Sequence, residues 1–150
     1  MQDKLVPGLL AGATAGAVID LGNAIAYHAL KVTTLRNLDW AAILVFRHPP
    51  RSPAETVFAE VVHLVFTALL GVVFAYASHP LAPTRHRIVR GMTYGAAVWM
   101  FTYAATLLFK VPYVTIVPWP TAVTGYVLAL IFGSVLACVL ARLLDERMVP

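Results

Sequence analysis

Residues 52–78 read SPAETVFAEVVHLVFTALLGVVFAYAS, a long apolar run with two ionisable side chains in its first half, Glu60 and His63. A run of this length predicts a helix that crosses a membrane. Because the two residues are three positions apart, a helix places both on one face. Ionisable groups inside a spanning helix usually point into the bundle and pair with one another. Glu60 and His63 are therefore the first candidates for a functional site.

The start of this helix is also specified by the sequence. Ser52 suits the N-cap, Pro53 suits the first helical position, and Glu55 follows the cap at the spacing of a capping box. Capping at the membrane surface therefore explains Glu55. Glu60 lies about 7–8 Å deeper along the helix axis, at 1.5 Å per residue, and capping does not explain it.

The composition is that of a membrane protein. Of the 150 residues, 60% are hydrophobic and only 12% are charged, whereas soluble domains carry about a quarter charged residues. We expect one membrane domain over residues 1–150 with no separate soluble domain. The net charge of +4 then concerns orientation and anionic lipid, with the bilayer as partner and no role in nucleic-acid binding. Cys138 is the only cysteine in the sequence, which excludes an internal disulfide.

Four apolar runs predict an all-α integral membrane protein, a four-transmembrane-helix bundle with a short interfacial helix between spans 1 and 2. The predicted spans are residues 5–30, 53–78, 89–109 and 121–144, and the interfacial segment is 38–46. The first run is too long for the core of a cleaved signal peptide. The segment 38–46 is too short to span, and Trp40 at its start suits an interface. The alternative for this segment is a loop that docks over the bundle.

Basic residues bear on the orientation of the spans. The side that holds both termini and the second loop, where Pro80 and Pro83 break the helix, has six basic residues: Lys4, Arg85, Arg87, Arg90, Arg142 and Arg147. The opposite side has five basic residues, and the loop on that side between spans 3 and 4 is almost uncharged. This distribution favours both termini inside the cell.

The first span changes character along one face. Gly8, Gly12 and Gly16 form a repeated G-x-x-x-G pattern, which lets another helix approach closely. We expect this face to pack against a helix of the same chain or of a second copy. Asp20 and Asn23 continue the face, and Asp20 requires a polar partner because it lies within the hydrocarbon.

The depths of these polar residues match between the first two spans. Counted from the end that the spans share, Asp20 and His63 lie about 15 Å deep, and Asn23 and Glu60 about 10 Å deep. If the two polar faces meet, all four form one buried cluster. Tyr103 of the third span reaches a similar depth and could donate a hydrogen bond to it.

Three functions fit such a cluster. The leading interpretation is non-enzymatic: the polar network fixes helix register in a protein that acts by association, as a homo-oligomer or as a subunit of a larger membrane assembly. The second is an ion or proton transport or relay subunit that uses Asp20, Glu60 and His63.

The third is an intramembrane metal or redox-cofactor site on the same three residues. Glu60 and His63 have the Glu-x-x-His spacing of di-iron bundles, but those bundles use two such motifs and further acids. No bound cofactor is the simplest expectation. The sequence has no pattern typical of a hydrolase, so we name no catalytic residue.

The segments TTLRNLDWAAILVF, ETVFAEVVHLVFTALLGVVFAYA and GMTYGAAVWMFTYAATLLFK occur in this order along the chain. This pattern resembles the YqhR-type small membrane proteins of endospore-forming bacteria. The resemblance implies a four-span protein in a bacterial plasma membrane. It implies no activity and supplies no catalytic residue.

Overall fold

The computed structural model of the chain describes residues 4–78 and 86–145. These residues form five α-helices, which confirms the all-helical prediction. The helices are α1 (Leu5–His28), α2 (Asn37–Phe46), α3 (Pro53–Ala77), α4 (Arg87–Leu108) and α5 (Trp119–Asp145). The predicted break at Pro80 and Pro83 and the basic residues Arg85 and Arg147 lie outside the described residues.

Three helices, α1, α3 and α5, are long and apolar enough to cross a membrane. They contain 24, 25 and 27 residues, so each exceeds the hydrocarbon thickness of about 30 Å. The outer face of α3 exposes aliphatic side chains at every fourth position: Val57, Val61, Val65, Leu69 and Val73. Such a surface is rare in water, whereas acyl chains solvate it well. These features identify the chain as a membrane protein.

The order of the helices places α1 at the centre. Extensive contacts join α1 to both α3 and α5, and α4 packs against the other side of α5. The contact between α3 and α4 is local. The hydroxyl of Tyr94 donates to the carbonyl of Leu70 at 2.8 Å, and the rings of Tyr94 and Phe74 lie 5.0 Å apart. Beyond this point the two helices separate.

The glycine face of α1 packs on α3 of the same chain. A β-carbon added to Gly8 would lie 2.8 Å from the Cα of Val72, and one added to Gly12 would collide with the carbonyl of Thr67. One added to Gly16 would collide with the side chain of Thr67. The two backbones are therefore in direct contact, and only glycine permits this approach.

The contact between α4 and α5 uses the same device. Gly91 and Gly133 face each other so closely that a β-carbon on either would collide with the other's carbonyl oxygen. One helical turn away, a β-carbon on Gly95 would collide with the carbonyl of Ala129. The bundle therefore consists of two glycine-packed helix pairs, which α1 and α5 join.

The start of α3 follows the capping prediction. The Ser52 hydroxyl accepts a hydrogen bond from the backbone N–H of Glu55 at 3.2 Å, and Pro53 is the first helical residue. The Glu55 carboxylate accepts from the backbone N–H of Arg51 at 2.7 Å. This carboxylate thus binds one residue earlier than the capping-box pattern predicts.

The predicted short segment 38–46 is helical and also docked. Ala41 and Ala42 of α2 pack on Ala59 of α3. Ile43 packs on Val111 and Val114 in the α4–α5 connection. As a result, α2 covers the end of the bundle where α3 and α4 have separated.

Candidate functional site

The structure brings Asp20 and His63 together between α1 and α3. Nδ1 of His63 lies 2.9 Å from Oδ2 of Asp20, and each side chain is 13% exposed. The glycine contact sets this register. Gly16 of α1 packs on Thr67 of α3. Asp20 lies one helical turn after Gly16, and His63 lies one helical turn before Thr67. The two side chains therefore lie at one level of the α1–α3 contact.

Asn37, at the start of α2, completes the hydrogen bonding of Asp20. Its side-chain amide donates to Oδ1 of Asp20 at 3.0 Å and to the carbonyl of Ile19 at 3.4 Å. Its backbone N–H donates to the side-chain oxygen of Asn23 at 3.1 Å. Asn23 thus joins the cluster through Asn37. Sequence reasoning missed Asn37, because no periodicity relates a residue after a loop to a face of a span.

Glu60 lies one turn from His63 on α3. It is half-buried and interacts electrostatically with Asp20, His63 and Arg36. Glu60 therefore faces the polar cluster, as its spacing from His63 indicates.

Arg36 brings a positive charge to the acids. Its guanidinium pairs with the buried carboxylate of Asp39 at 2.8 Å and lies 5.5 Å from the centre of the Tyr27 ring. The backbone N–H of Arg36 also donates to Asp39 at 2.7 Å. This cap fixes the first turn of α2 and holds Asn37 over Asp20.

A cavity of about 260 Å³ lies where α3 and α4 separate. Its lining is mostly apolar and aromatic, and α2 contributes Trp40 to its wall. Across the cavity from α3, the rings of Trp99 and Tyr103 stack 5.4 Å apart with an angle of 7°. Tyr103 thus lies on the cavity wall, and its hydroxyl donates to none of the side chains of Asp20, Asn23 and His63 within the described residues.

His63 belongs to both the cluster and the cavity wall. Its Nδ1 is used by Asp20, and its Nε2 has no hydrogen-bond partner among residues 4–78 and 86–145. In that part of the chain, no buried side-chain polar atom lacks a partner. The Nε2 atom therefore has accessible surface.

The metal hypothesis gains no support from this geometry. Within the described segments, no three His, Cys, Asp or Glu side chains form a group that could hold a metal ion. Glu60 and His63, despite their Glu-x-x-His spacing, are not part of such a group among the described residues.

No protein-family model, curated protein or solved structure matches this chain. Its function is therefore inferred from the cluster and the cavity.

Proposed function

We propose that the chain is a four-span integral membrane protein that binds a small, largely apolar molecule between α3 and α4. The Asp20–His63 pair is its polar contact with that molecule. One observation carries the proposal: His63 contacts the largely buried carboxylate of Asp20 and also lines a cavity. Apolar cavities with a few oriented polar groups are the usual form of small-molecule sites.

Two features of α4 support a fourth span. The helix has 22 residues, about 33 Å at 1.5 Å per residue, which is enough to cross the hydrocarbon. It packs along α5 through Gly91 and Gly95, and it exposes Phe101 by 78%. In this arrangement α2 lies at the interface, where it covers the outer end of the cavity.

We place the protein in a bacterial plasma membrane with both termini inside. The distribution of basic residues and the YqhR-type resemblance support this location. The lipid bilayer is then the source of the bound molecule as well as the solvent of the spans.

Association with a second copy or a larger assembly loses its main support. The G-x-x-x-G face suggested it, and Gly8, Gly12 and Gly16 are covered by α3 of the same chain. A partner would have to use the remaining apolar surface, which acyl chains solvate equally well.

Proton transport across the membrane also fits the geometry poorly. Asp20, Glu60 and His63 do form a contiguous set of ionisable groups. Between them and the N-terminal end of α1, however, the backbones of α1 and α3 are in contact at Gly8 and Gly12. Such close packing leaves no space for a chain of water molecules along this seam.

Fluorescence quenching in lipid nanodiscs tests the proposal. Trp40 and Trp119 are replaced by Phe, so that Trp99 in the cavity wall is the reporter. The probe is para-bromohexylbenzene, whose bromine quenches indole on contact. We expect saturable quenching that Thr102→Phe removes by filling the cavity. Ala104→Phe, on the exposed face of the same helix, is the matched control and leaves it intact.

Non-saturable quenching would contradict the proposal. Quenching that rises linearly with probe concentration, and equally in both variants, reports only partition into lipid. It would show that the cavity binds nothing of this class.

A further inference from the structure

We infer that the molecule held in this cavity is of the phenol class, with a hydroxyl group that donates a hydrogen bond to Nε2 of His63. The inference rests on the proposed function, because it names the ligand of the same cavity. Three features of the site support it: the tautomer of His63, the ring surfaces of the wall and the position of the opening.

The tautomer follows from the partners of Asp20. We take Asp20 as ionised and His63 as neutral. An ionised carboxylate can only accept hydrogen bonds, so Nδ1 of His63, 2.9 Å from Oδ2 of Asp20, then carries the proton between them. In a neutral imidazole the other nitrogen is then an acceptor. The site therefore recognises a hydrogen-bond donor.

The carboxylate that sets this tautomer is itself held in place. Asn37 donates to Oδ1 of Asp20, while His63 uses Oδ2. Each oxygen has its own donor, so the carboxylate cannot turn without breaking one of the two hydrogen bonds. The His63 ring is thereby kept in one orientation, and His63 is one of the residues that line the cavity.

The wall opposite His63 is built from flat rings. Trp99 and Tyr103 stack with an angle of 7° between their planes, and Trp40 and Phe66 also line the cavity. Aromatic surfaces pack against another ring in offset or edge-on geometry and gain more than their buried area alone provides. An aromatic head group fits such a wall better than a bare acyl chain does.

We take the gap between α3 and α4 as the opening of the cavity, because a molecule dissolved in the bilayer would reach the cavity from there. The helices α3 and α4 meet at Tyr94 and Leu70 and are apart at the level of Phe66 and Trp99. At the outer end, α2 packs on Val111 and Val114 and covers the cavity. A ligand therefore enters sideways from the lipid, and its alkyl chain can remain among the acyl chains.

A competition experiment with two probes that differ in one donor tests the inference. Bound para-bromohexylbenzene, followed by Trp99 quenching, is displaced with para-hexylphenol or with para-hexylanisole. The anisole has the same ring and chain but a methyl ether in place of the hydroxyl, so it can accept but cannot donate. We expect the phenol to displace the probe at about tenfold lower concentration, the size of one net hydrogen bond in a dry site.

Variants assign the difference to His63. In His63→Ala we expect the phenol to become as weak as the anisole, while displacement by the anisole is unchanged. His28→Ala, an exposed histidine at the end of α1, is the control and keeps the tenfold difference. If His63→Ala does not fold, the comparison of the phenol with the anisole on the protein that retains His63 still tests whether the site requires a hydrogen-bond donor.

The outcomes separate the inference from the proposed function. If the phenol and the anisole displace the probe equally, the phenol class is overturned. If Thr102→Phe still abolishes saturable quenching by the probe, the cavity remains a binding site. Absence of any saturable quenching overturns both.

Discussion

The imidazole of His63 and the carboxylate of Asp20 meet at 2.9 Å although 43 positions separate them in the chain. Their meeting depends on glycine. Gly16 allows α1 to approach Thr67 of α3, and one turn further along both helices the same register places the two polar side chains opposite each other. The close packing that stabilises the helix pair thus also builds the site.

The Asp20–His63 pair is expected to be energetically coupled. Asp20→Asn and His63→Ala should each destabilise the fold, and the double variant should lose less than their sum. We expect a coupling free energy of about 1–2 kcal/mol, at the upper end for polar contacts between membrane helices. Denaturant unfolding in detergent micelles provides the four free energies of unfolding.

Asp145→Asn is the control for charge removal. Asp145 pairs with Arg87 at 3.6 Å, and its side chain is 57% exposed, so we expect little change in the free energy of unfolding. Additive effects of the two cluster variants would mean that Asp20 and His63 do not interact in the folded protein.

The glycine seam is expected to tolerate no added methyl group. In Gly12→Ala the new β-carbon meets the backbone of Thr67 and Ala68, which cannot move without separating the helices. We expect a loss of about 1–3 kcal/mol, as in other overpacked sites.

Gly22→Ala on the same helix is the matched comparison. Its β-carbon would lie 3.0 Å from a terminal methyl group of Leu128, which can rotate away. The gain in helix propensity, up to about 1 kcal/mol, should offset the crowding. Thermal unfolding of the two variants in the same detergent tests this, and equal melting temperatures would contradict the direct backbone contact at Gly12.

The four-span topology predicts the side on which each loop is found. With Cys138→Ser as background, single cysteines are introduced by Lys4→Cys, Lys31→Cys and Lys110→Cys. A membrane-impermeant maleimide on intact cells should label the variants at positions 31 and 110 and spare the one at position 4. Labelling of Lys4 and Lys110 variants from the same side would show that α4 does not cross the membrane.

The protein is expected to carry no protons across a membrane. In proteoliposomes with a pH gradient, the decay of the gradient should match that of empty liposomes, because α1 and α3 are in backbone contact at Gly8 and Gly12. Proton flux that disappears in Glu60→Gln would contradict this expectation and would favour the relay hypothesis.

Much of this architecture follows from local sequence signals. The helix over residues 53–78 was predicted from its apolar run and its cap, and α3 occupies Pro53–Ala77. Counting residues inward predicted a common depth for Asp20 and His63, because the rise of a helix is constant, and their pairing depended on the further condition that the two polar faces meet. The depth of a residue in a spanning helix can therefore be calculated directly from its position in the sequence.

The sequence indicates less clearly how each helix is rotated about its axis and which other helix it contacts. Tyr103 was expected to donate a hydrogen bond to the cluster, yet it stacks on Trp99 and lines the cavity across from the cluster. The period of a helix indicates which residues share a face, but it does not indicate which other helix that face meets. The separation of α3 from α4, and hence the cavity, depends on this missing information.

Asn37 shows a second limit. It contributes hydrogen bonds to Asp20 and Asn23 because the chain after α1 folds back over the bundle. The docking of α2 on Ala59 and Val111 fixes that path, and these contacts are distant in sequence. A polar residue in a connector carries no local signal of such a role.

The most direct test of the site is solid-state NMR of the protein in lipid bilayers. With ¹⁵N-labelled histidine and ¹³C-labelled aspartate, dipolar recoupling measures the distance from Nδ1 of His63 to the carboxyl carbon of Asp20. We expect about 3–4 Å, the separation of a hydrogen-bonded pair, with the signal lost in Asp20→Asn. No measurable coupling in the unmodified protein would show that the carboxylate does not orient His63, and the proposed binding site would then be wrong.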